Sequence, residues 1–361
     1  MFEWASWYDK LPNEDLEVYE PHLKLFFETM YERQLIWKRR FIEQRPRPWT
    51  DNEIFRNSKF TNVYRELDRN SQWQIKNILL DSSLSRVNLI WKMMVFRFFN
   101  CPETFELGKS VMGWKNGIPD WDEYNEDIFA DFIADVRKRG QNPYTTAYLI
   151  NSMATPGKSR DYCYTRLVIP TLHKRIPELI SKVMKAESPE EIIKYLKTLP
   201  AIADFIAHEF YQDFTYIARY TNRKFMKFDQ NDFTNVGPGA SVGIRLIFPS
   251  LKTKDQKSAI YRLKEMADEI LESIGLEKGE LFPYLSWDKE SGSYFTFTSE
   301  DLKAGRIHRE NLTYSGITLH QIEMWLCEFQ KYWKMTIGEG KQRSKFVPKT
   351  DKLTLKHHEN K

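Results

Sequence analysis

Residues 60–72 read FTNVYRELDRNSQ, and the reading given to this stretch decides the rest. Taken as a helix, it sets Arg65, Asp68, Arg69 and Gln72 at i, i+3, i+4 and i+7, on one polar stripe. Val63 and Leu67, with Trp73 and Ile78 just beyond, are left to pack on other sides. Two guanidiniums, a carboxylate and an amide in a row can clamp a phosphate and the edge of a base, with Asp68 holding an arginine in place. Asn62 and Tyr64 precede the stripe and can add a base-edge contact and a ring. The same spacing also describes a solvated ion-pair face, worth only ~0.3–0.5 kcal/mol per pair. The flank favours the first reading, because it carries aromatics with Asn, Thr, Ser and Gln where a solubilising face carries Lys and Glu.

Outward from this stretch, helical signals dominate. Residues 14–44 repeat apolar positions (Leu23, Phe26, Met30) at helical spacing until RPRPW at 45–49 breaks the run. A helical region over 58–99 divides near Asp81-Ser82-Ser83, and 120–139 gathers Ile128, Phe129, Phe132, Ile133 and Val136 on one side. Asn142-Pro143 signals a further helix start. Helices are also expected over 164–184, over 187–200 with Ser188 as its cap, over 253–274 and over 319–335. SYFTFTSEDL at 293–302 alternates like a strand. The expected fold is mainly α, a multi-helix domain with minor β. It forms a single helical catalytic domain over 1–340 and a flexible basic tail over 341–361.

At 361 residues the chain can bury a sizeable core. Three cysteines without CxxC spacing suggest neither a disulfide framework nor a zinc site, and His173, His208, His308 and His320 form no metal pattern, so no metal is expected. The acidic start and the absence of a long uncharged apolar run point away from secretion and membranes and toward the cytoplasm. The net charge of +4 is misleading. Residues 341–361 hold seven Lys/Arg and two Asp/Glu, so the body carries 47 against 48 and is near neutral. Charge alone therefore does not establish a nucleic-acid partner.

LKTLPAIADFIAHEF at 196–210 resembles the helix-hairpin-helix of DNA glycosylases, which makes the expected fold distantly glycosylase-like. Leu199-Pro200 and Ile202 match the motif, but Ala201 and Ala203 stand where its glycines let backbone N–H groups approach a phosphate. An ordinary tight turn between packed helices is the other reading. Downstream lie Asp229, Asp232 and then NVGPGASVG at 235–243. There Gly237-Pro238-Gly239 is either a plain turn or a helix start that admits a ligand beside an acid.

FTNVYRELDRNSQ, DFTNVGPGA (232–240) and TLHQIEMWLCEFQKY (318–332) together resemble the helical proteins of bacteriophage thymine hypermodification, over roughly residues 50–345. That group includes the helical domain of hydroxymethyluracil DNA kinases and the glutamyl/putrescinyl-thymine pyrophosphorylases, viewed as amino acid:DNA transferases. The resemblance implies displacement of phosphate or pyrophosphate from phosphorylated 5-hydroxymethyluracil in double-stranded DNA by a free amino acid or polyamine. Such a step protects viral DNA from host restriction and needs no cofactor. A hydroxymethyluracil DNA kinase is an implied partner, and the chain lacks the GxxxxGK[ST] loop of the kinase itself. On this reading Asp232 or Asp68 deprotonates the nucleophile, and Arg65 and Arg69 neutralise the leaving phosphate. Asn62, Tyr64, Gln72, Gly237 and Gly239 bind the flipped nucleotide, and Cys163 or Cys327 is a candidate for transient addition to the base. The competing expectations are a glycosylase-like base-excision enzyme and a non-catalytic module presenting DNA to a kinase.

Overall fold

The computed structural model describes residues 17–43, 45–145, 157–221, 223–273, 284–288, 293–297 and 317–340. These are mainly helical, as the sequence leads one to expect. The expected tail at 341–361 and the helix expected to follow Asn142-Pro143 beyond residue 145 lie outside them. The described residues form two compact units, one up to Asp68 and from Gln230 onward, the other Arg69–Asp229. A reading of 1–340 as one domain does not anticipate this division.

The first unit opens with α1 (Glu20–Trp37) and α2 (Glu53–Asn57). The second unit supplies α3 (Arg69–Gln74), α4 (Arg86–Phe99), α5 (Pro102–Met112), α6 (Glu126–Lys138) and α7 (Arg160–Cys163). It continues with α8 (Ile169–Lys185), α9 (Pro189–Leu196) and α10 (Asp204–Tyr220). The chain then returns to the first unit for α11 (Pro238–Ile247), α12 (Gln256–Ser273), the antiparallel hairpin β1 (Tyr284–Asp288) and β2 (Ser293–Phe297), and α13 (Leu319–Thr336). β2 falls within the expected strand at 293–302.

In the first unit α1 packs its buried Leu23, Phe26, Phe27 and Met30 against α13, where Trp325, Leu326 and Phe329 are buried. Trp325 Nε1 donates to the Phe26 carbonyl at 3.1 Å, and the Phe26 and Phe329 rings meet edge-on at 5.6 Å. α11 crosses α13 closely because Gly239 and Gly243 stand one turn apart on the contact face. A Cβ at Gly239 would collide with Cys327 Sγ, and one at Gly243 with the Leu326 carbonyl. In the second unit α4 is buried at every position from Leu89 to Phe99, and Trp73 of α3 stacks on its Phe96 at 4.7 Å. α6 buries Phe129, Phe132, Ile133 and Val136 as its periodicity predicts, while Ile128 turns outward.

Residues 60–72 are not one helix. Tyr64 and Asp68 are both extended (ψ 111° and 140°), a single 3-10 turn spans Arg65–Leu67, and α3 begins only at Arg69. The physical reason lies in Asp68 and Asn62, short polar side chains that bond nearby backbone in competition with a helix. Asp68 Oδ1 accepts the Asn62 backbone N–H at 3.0 Å, which folds the segment back on itself. Six consecutive residues from Asn62 to Leu67 are buried, whereas a two-faced helix would alternate. The polar stripe of Arg65, Asp68, Arg69 and Gln72 therefore does not form.

The hairpin sequence does join two helices, α9 and α10, through a tight turn. Ala201 takes the left-handed conformation (φ 63°) that the motif's glycine would adopt without strain. Asp204 then occupies the first turn of α10 and pairs with Lys197 at 2.5 Å. A carboxylate where the motif offers N–H groups to a phosphate disfavours phosphate binding at this turn.

Candidate active site

In the first unit the sequence Trp37-Lys38-Arg39-Arg40 leaves α1 through a widened π-helical turn, Lys38–Ile42, and RPRPW folds back against it. The wide turn separates the two arginines. Arg39 Nη1 donates to Glu32 at 3.0 Å and to the Trp49 carbonyl at 2.8 Å, which fixes the returning loop. Arg40 lies over the Trp49 ring, 4.9 Å from its centre, and Arg47 lies 5.4 Å from the same centre. Trp49 is itself buried and donates its Nε1 to the Arg45 carbonyl at 2.7 Å. Its single ring thus holds two guanidiniums at the rim of one concavity.

That concavity measures about 340 Å³, within the usual range of small-molecule sites. Arg33, Arg40, Arg47 and Arg56 line it together with Trp49 and Phe60. No carboxylate is among its described lining residues. Arg33 Nη2 donates to Asn62 Oδ1 at 2.7 Å and to the Phe60 carbonyl at 3.3 Å. Asn62 donates both its backbone N–H and its side-chain amide to Asp68 Oδ1, each at 3.0 Å. A continuous chain Arg33–Asn62–Asp68 therefore leads from the pocket wall to a carboxylate.

The electrostatics of that chain are unusual. Burial pushes the Asp68 carboxyl up from its ordinary value, against the hydrogen bond from Asn62 and the positive charges of Arg65 and Arg33, and with help from Glu328. Burial, aided by the neighbouring Arg40 charge, pulls Arg33 down to about 10 in spite of Asp68 and Glu328. Glu328 is bound by the Thr61 N–H at 3.2 Å and by Lys331 at 2.7 Å.

Of the residues singled out in the sequence, the structure brings together Asn62 and Asp68, with Arg65 charged nearby. Arg65 is 3% exposed and its Nη1 reaches Met324 Sδ at 3.5 Å, so it is built into the unit rather than offered to a ligand. Tyr64 is buried as well. Arg69 and Gln72 belong to the second unit, where Arg69 is exposed and pairs with Glu103 at 2.5 Å and Gln72 is buried. Asp232 is exposed on the turn that follows Gln230. Gln230 itself is buried, accepts from Thr318 Oγ1 at 3.2 Å and donates to Glu66 at 3.4 Å. Gly237 gives its N–H to Glu323 Oε1 at 3.1 Å, so a carboxylate of the protein already occupies that helix start. Gly239 serves the α11–α13 crossing described above.

Neither cysteine considered as a nucleophile is prepared for that task. Cys163 is buried; Cys327 is exposed as a residue, but its thiol, seated over Gly239, is pushed up to about 12 by desolvation against the α11–α13 crossing and by the charges of Glu328 and Glu323. The pocket arginines and Trp49 were missed because RPRPW reads first as a helix breaker. Arginines interleaved with Trp over 37–49 were the available signal.

The second unit holds a buried polar cluster that sequence reasoning also missed. Arg97 forks onto Asp213, Nε to Oδ2 at 2.7 Å and Nη2 to Oδ1 at 2.5 Å, and its Nη2 also reaches Gln74 Oε1 at 3.3 Å. Both charged groups are almost fully buried. The pair ties α4 to α10, with Gln74 completing the set. Among the described residues no group of His, Cys, Asp and Glu could hold a metal ion, and no helix is long and apolar enough to cross a membrane.

Comparison with known proteins gives two findings. A family model described as the helical domain of 5-hmdU DNA kinase matches residues 20–292. A 5-hmdU DNA kinase of Bacillus phage SP10 is 26% identical over 321 residues, which is 86% of this chain and 44% of that protein. The chain thus spans less than half the length of this curated relative. No solved structure matches.

Proposed function

The chain belongs to the 5-hmdU DNA kinase helical-domain family, and from that premise we propose that it acts in the modification of hydroxymethyluracil in DNA, as a transferase that joins an amino acid or similar amine to the phosphorylated base. The observation that carries this reading is the Arg33–Asn62–Asp68 chain, which connects Arg33 in the wall of a basic, ring-lined pocket, through Asn62, to a carboxylate of raised basicity behind that wall. The target nucleotide swings out of the duplex to reach it. The amine nitrogen attacks the exocyclic methylene carbon, the new C–N bond forms as the C–O bond breaks, and phosphate departs with the bonding electrons. Asp68 takes the proton that the amine releases. Arg65 and Asp232 are not given these roles, because the first is enclosed by protein and the second stands on an exposed turn.

The full chain, incubated with duplex DNA containing phosphorylated 5-hydroxymethyluracil and each of glycine, serine, glutamate and putrescine, is assayed by digestion to nucleosides and mass spectrometry. An amine adduct with equimolar inorganic phosphate is the expected result. Free base with abasic DNA would replace the transferase by a base-excision enzyme. Tight DNA binding without any product would leave a module that presents DNA to a kinase, a role in keeping with the helical-domain description of the family.

A further inference from the structure

We propose that Glu328 is a positioning residue for Asp68, holding the Thr61 peptide between the grips that Arg33 and Asp68 take on its two neighbours. The proposal rests on the function given above for the identity of the base, and deepens it by naming what keeps that base in place. Residues 59–62 belong to no helix or strand, so their backbone groups must find other partners. Each of the four is held by a charged side chain. Lys331 Nζ donates to the Lys59 carbonyl at 2.6 Å, and Arg33 Nη2 donates to the Phe60 carbonyl at 3.3 Å. The Thr61 N–H donates to Glu328 Oε2 at 3.2 Å, and the Asn62 N–H donates to Asp68 Oδ1 at 3.0 Å. Lys331 also pairs with Glu328 at 2.7 Å and lies 4.1 Å from the centre of the Phe60 ring.

The segment lies along α13 and runs opposite to it. Lys59 and Thr61 meet Lys331 and Glu328, and Arg65 reaches Met324 Sδ at 3.5 Å. Glu66 is linked through Gln230 to Gln321, with bonds of 3.4 and 3.3 Å. Gln321, Met324, Glu328 and Lys331 are three or four residues apart and share one stripe of the helix. Glu328 stands within that stripe with its side chain only 13% exposed. An amide could accept the Thr61 N–H as well as a carboxylate does, so the charge has a second use. Arg65 of the preceding turn and Arg33 of α1 favour the ionised form of Asp68, and Glu328 of α13 is a charge that opposes them. The same carboxylate favours protonated Arg33 against burial and the Arg40 charge. Glu328 thus acts on both ends of the Arg33–Asn62–Asp68 chain.

Glu328→Gln keeps an acceptor for Thr61 and removes the charge, whereas Glu328→Ala removes both. Two readouts on the full chain need no turnover. Hydrogen exchange of the 59–68 segment, followed by mass spectrometry, should match the parent in Glu328→Gln and quicken roughly tenfold or more in Glu328→Ala, while peptides of α12 stay as they are. The Asp68 midpoint is read from the carboxyl-carbon NMR signal of aspartate-labelled protein, identified by its loss in Asp68→Asn. It should fall by roughly half a pH unit or more in both variants, which a merely structural glutamate would not cause. Amine transfer should survive in Glu328→Gln with its acid limb displaced to lower pH in step with that midpoint, and drop roughly tenfold or more in Glu328→Ala. Unchanged exchange in a folded Glu328→Ala protein, or an unmoved Asp68 midpoint in Glu328→Gln, overturns the proposal. Should Glu328→Ala fail to fold, the Glu328→Gln midpoint alone decides. The expected exchange and titration in a protein that transfers no amine would support the hold on Asp68 and refute the proposed function. Transfer that persists while neither readout moves would spare that function and refute the role of Glu328.

Discussion

Asp68 Oδ1 accepts two hydrogen bonds from Asn62, one from the backbone N–H and one from the side-chain amide, each 3.0 Å long. The pair closes a loop of buried chain and sets the carboxylate, the base of the proposed reaction, beside the charges of Arg33 and Arg65. Asp68→Asn retains a carbonyl oxygen able to accept both bonds, so the loop survives while the base is lost. Turnover is expected to fall roughly 10²–10⁴-fold. Unchanged turnover in a folded Asp68→Asn protein would remove Asp68 from the chemistry.

The pH dependence follows from the same group. Burial raises the Asp68 carboxyl above the ordinary value of about 3.9, so activity that needs its ionised form should rise with pH through a midpoint above that value. Stability has the opposite sign. The folded protein holds this proton more tightly than the unfolded chain, so the contribution is complete below the ordinary value and is lost as pH climbs through the raised one. Asp68→Asn avoids that loss, and its urea midpoint at pH 7 should equal or exceed that of the parent. An acid limb near the ordinary aspartate value would contradict both halves.

Much of the fold was legible because long helices repeat their apolar residues every three or four positions. α1, α6 and α13 follow that rule, and Phe129, Phe132, Ile133 and Val136 show it plainly. Residues 60–72 were not legible in this way. The bond that decides them joins positions six apart, and the periodicity that suggested one helix has no means of registering it. The pocket was hidden for a different reason. Its arginines come from a helix, a widened turn, a loop and a second short helix, and only the tertiary fold brings 33, 40, 47 and 56 to one cavity.

The Arg97–Asp213 pair should dominate the stability of the second unit. Asp213→Ala leaves a guanidinium in the core with its principal partner gone, and about 3–5 kcal/mol of stability should disappear in urea denaturation. Replacing both members with apolar residues of similar volume, Arg97→Met with Asp213→Leu, should recover most of that loss. If Asp213→Ala costs under about 1 kcal/mol, the pair is not the tie described.

Arg69→Ala offers the contrast. Its partner Glu103 and the arginine itself are both about 40% exposed, so water screens the pair and the loss should be about 0–1 kcal/mol. The stripe reading, with Arg69 on the leaving phosphate, predicts a large loss of turnover from the same variant. A near-parental rate would fit the geometry seen at Arg33 and Asp68, and a loss above about a hundredfold would restore Arg69 to the site.

Gly239 and Gly243 make different demands on α13, and two double variants separate them. A methyl at Gly239 meets the Cys327 side chain, while a methyl at Gly243 meets the Leu326 backbone carbonyl. Each alanine alone should cost about 1–3 kcal/mol through overpacking. Cys327→Ala removes Sγ and should return a good part of the Gly239→Ala loss, but it has nothing to offer Gly243→Ala, whose obstacle is main chain. The same substitution examines the thiol. With Cys327 pushed up to about 12, it is protonated at neutral pH, should react slowly with iodoacetamide, and should be dispensable for turnover. Rescue of both glycine variants alike would place the crossing elsewhere. A folded Cys327→Ala protein without activity would make that sulfur part of the chemistry after all.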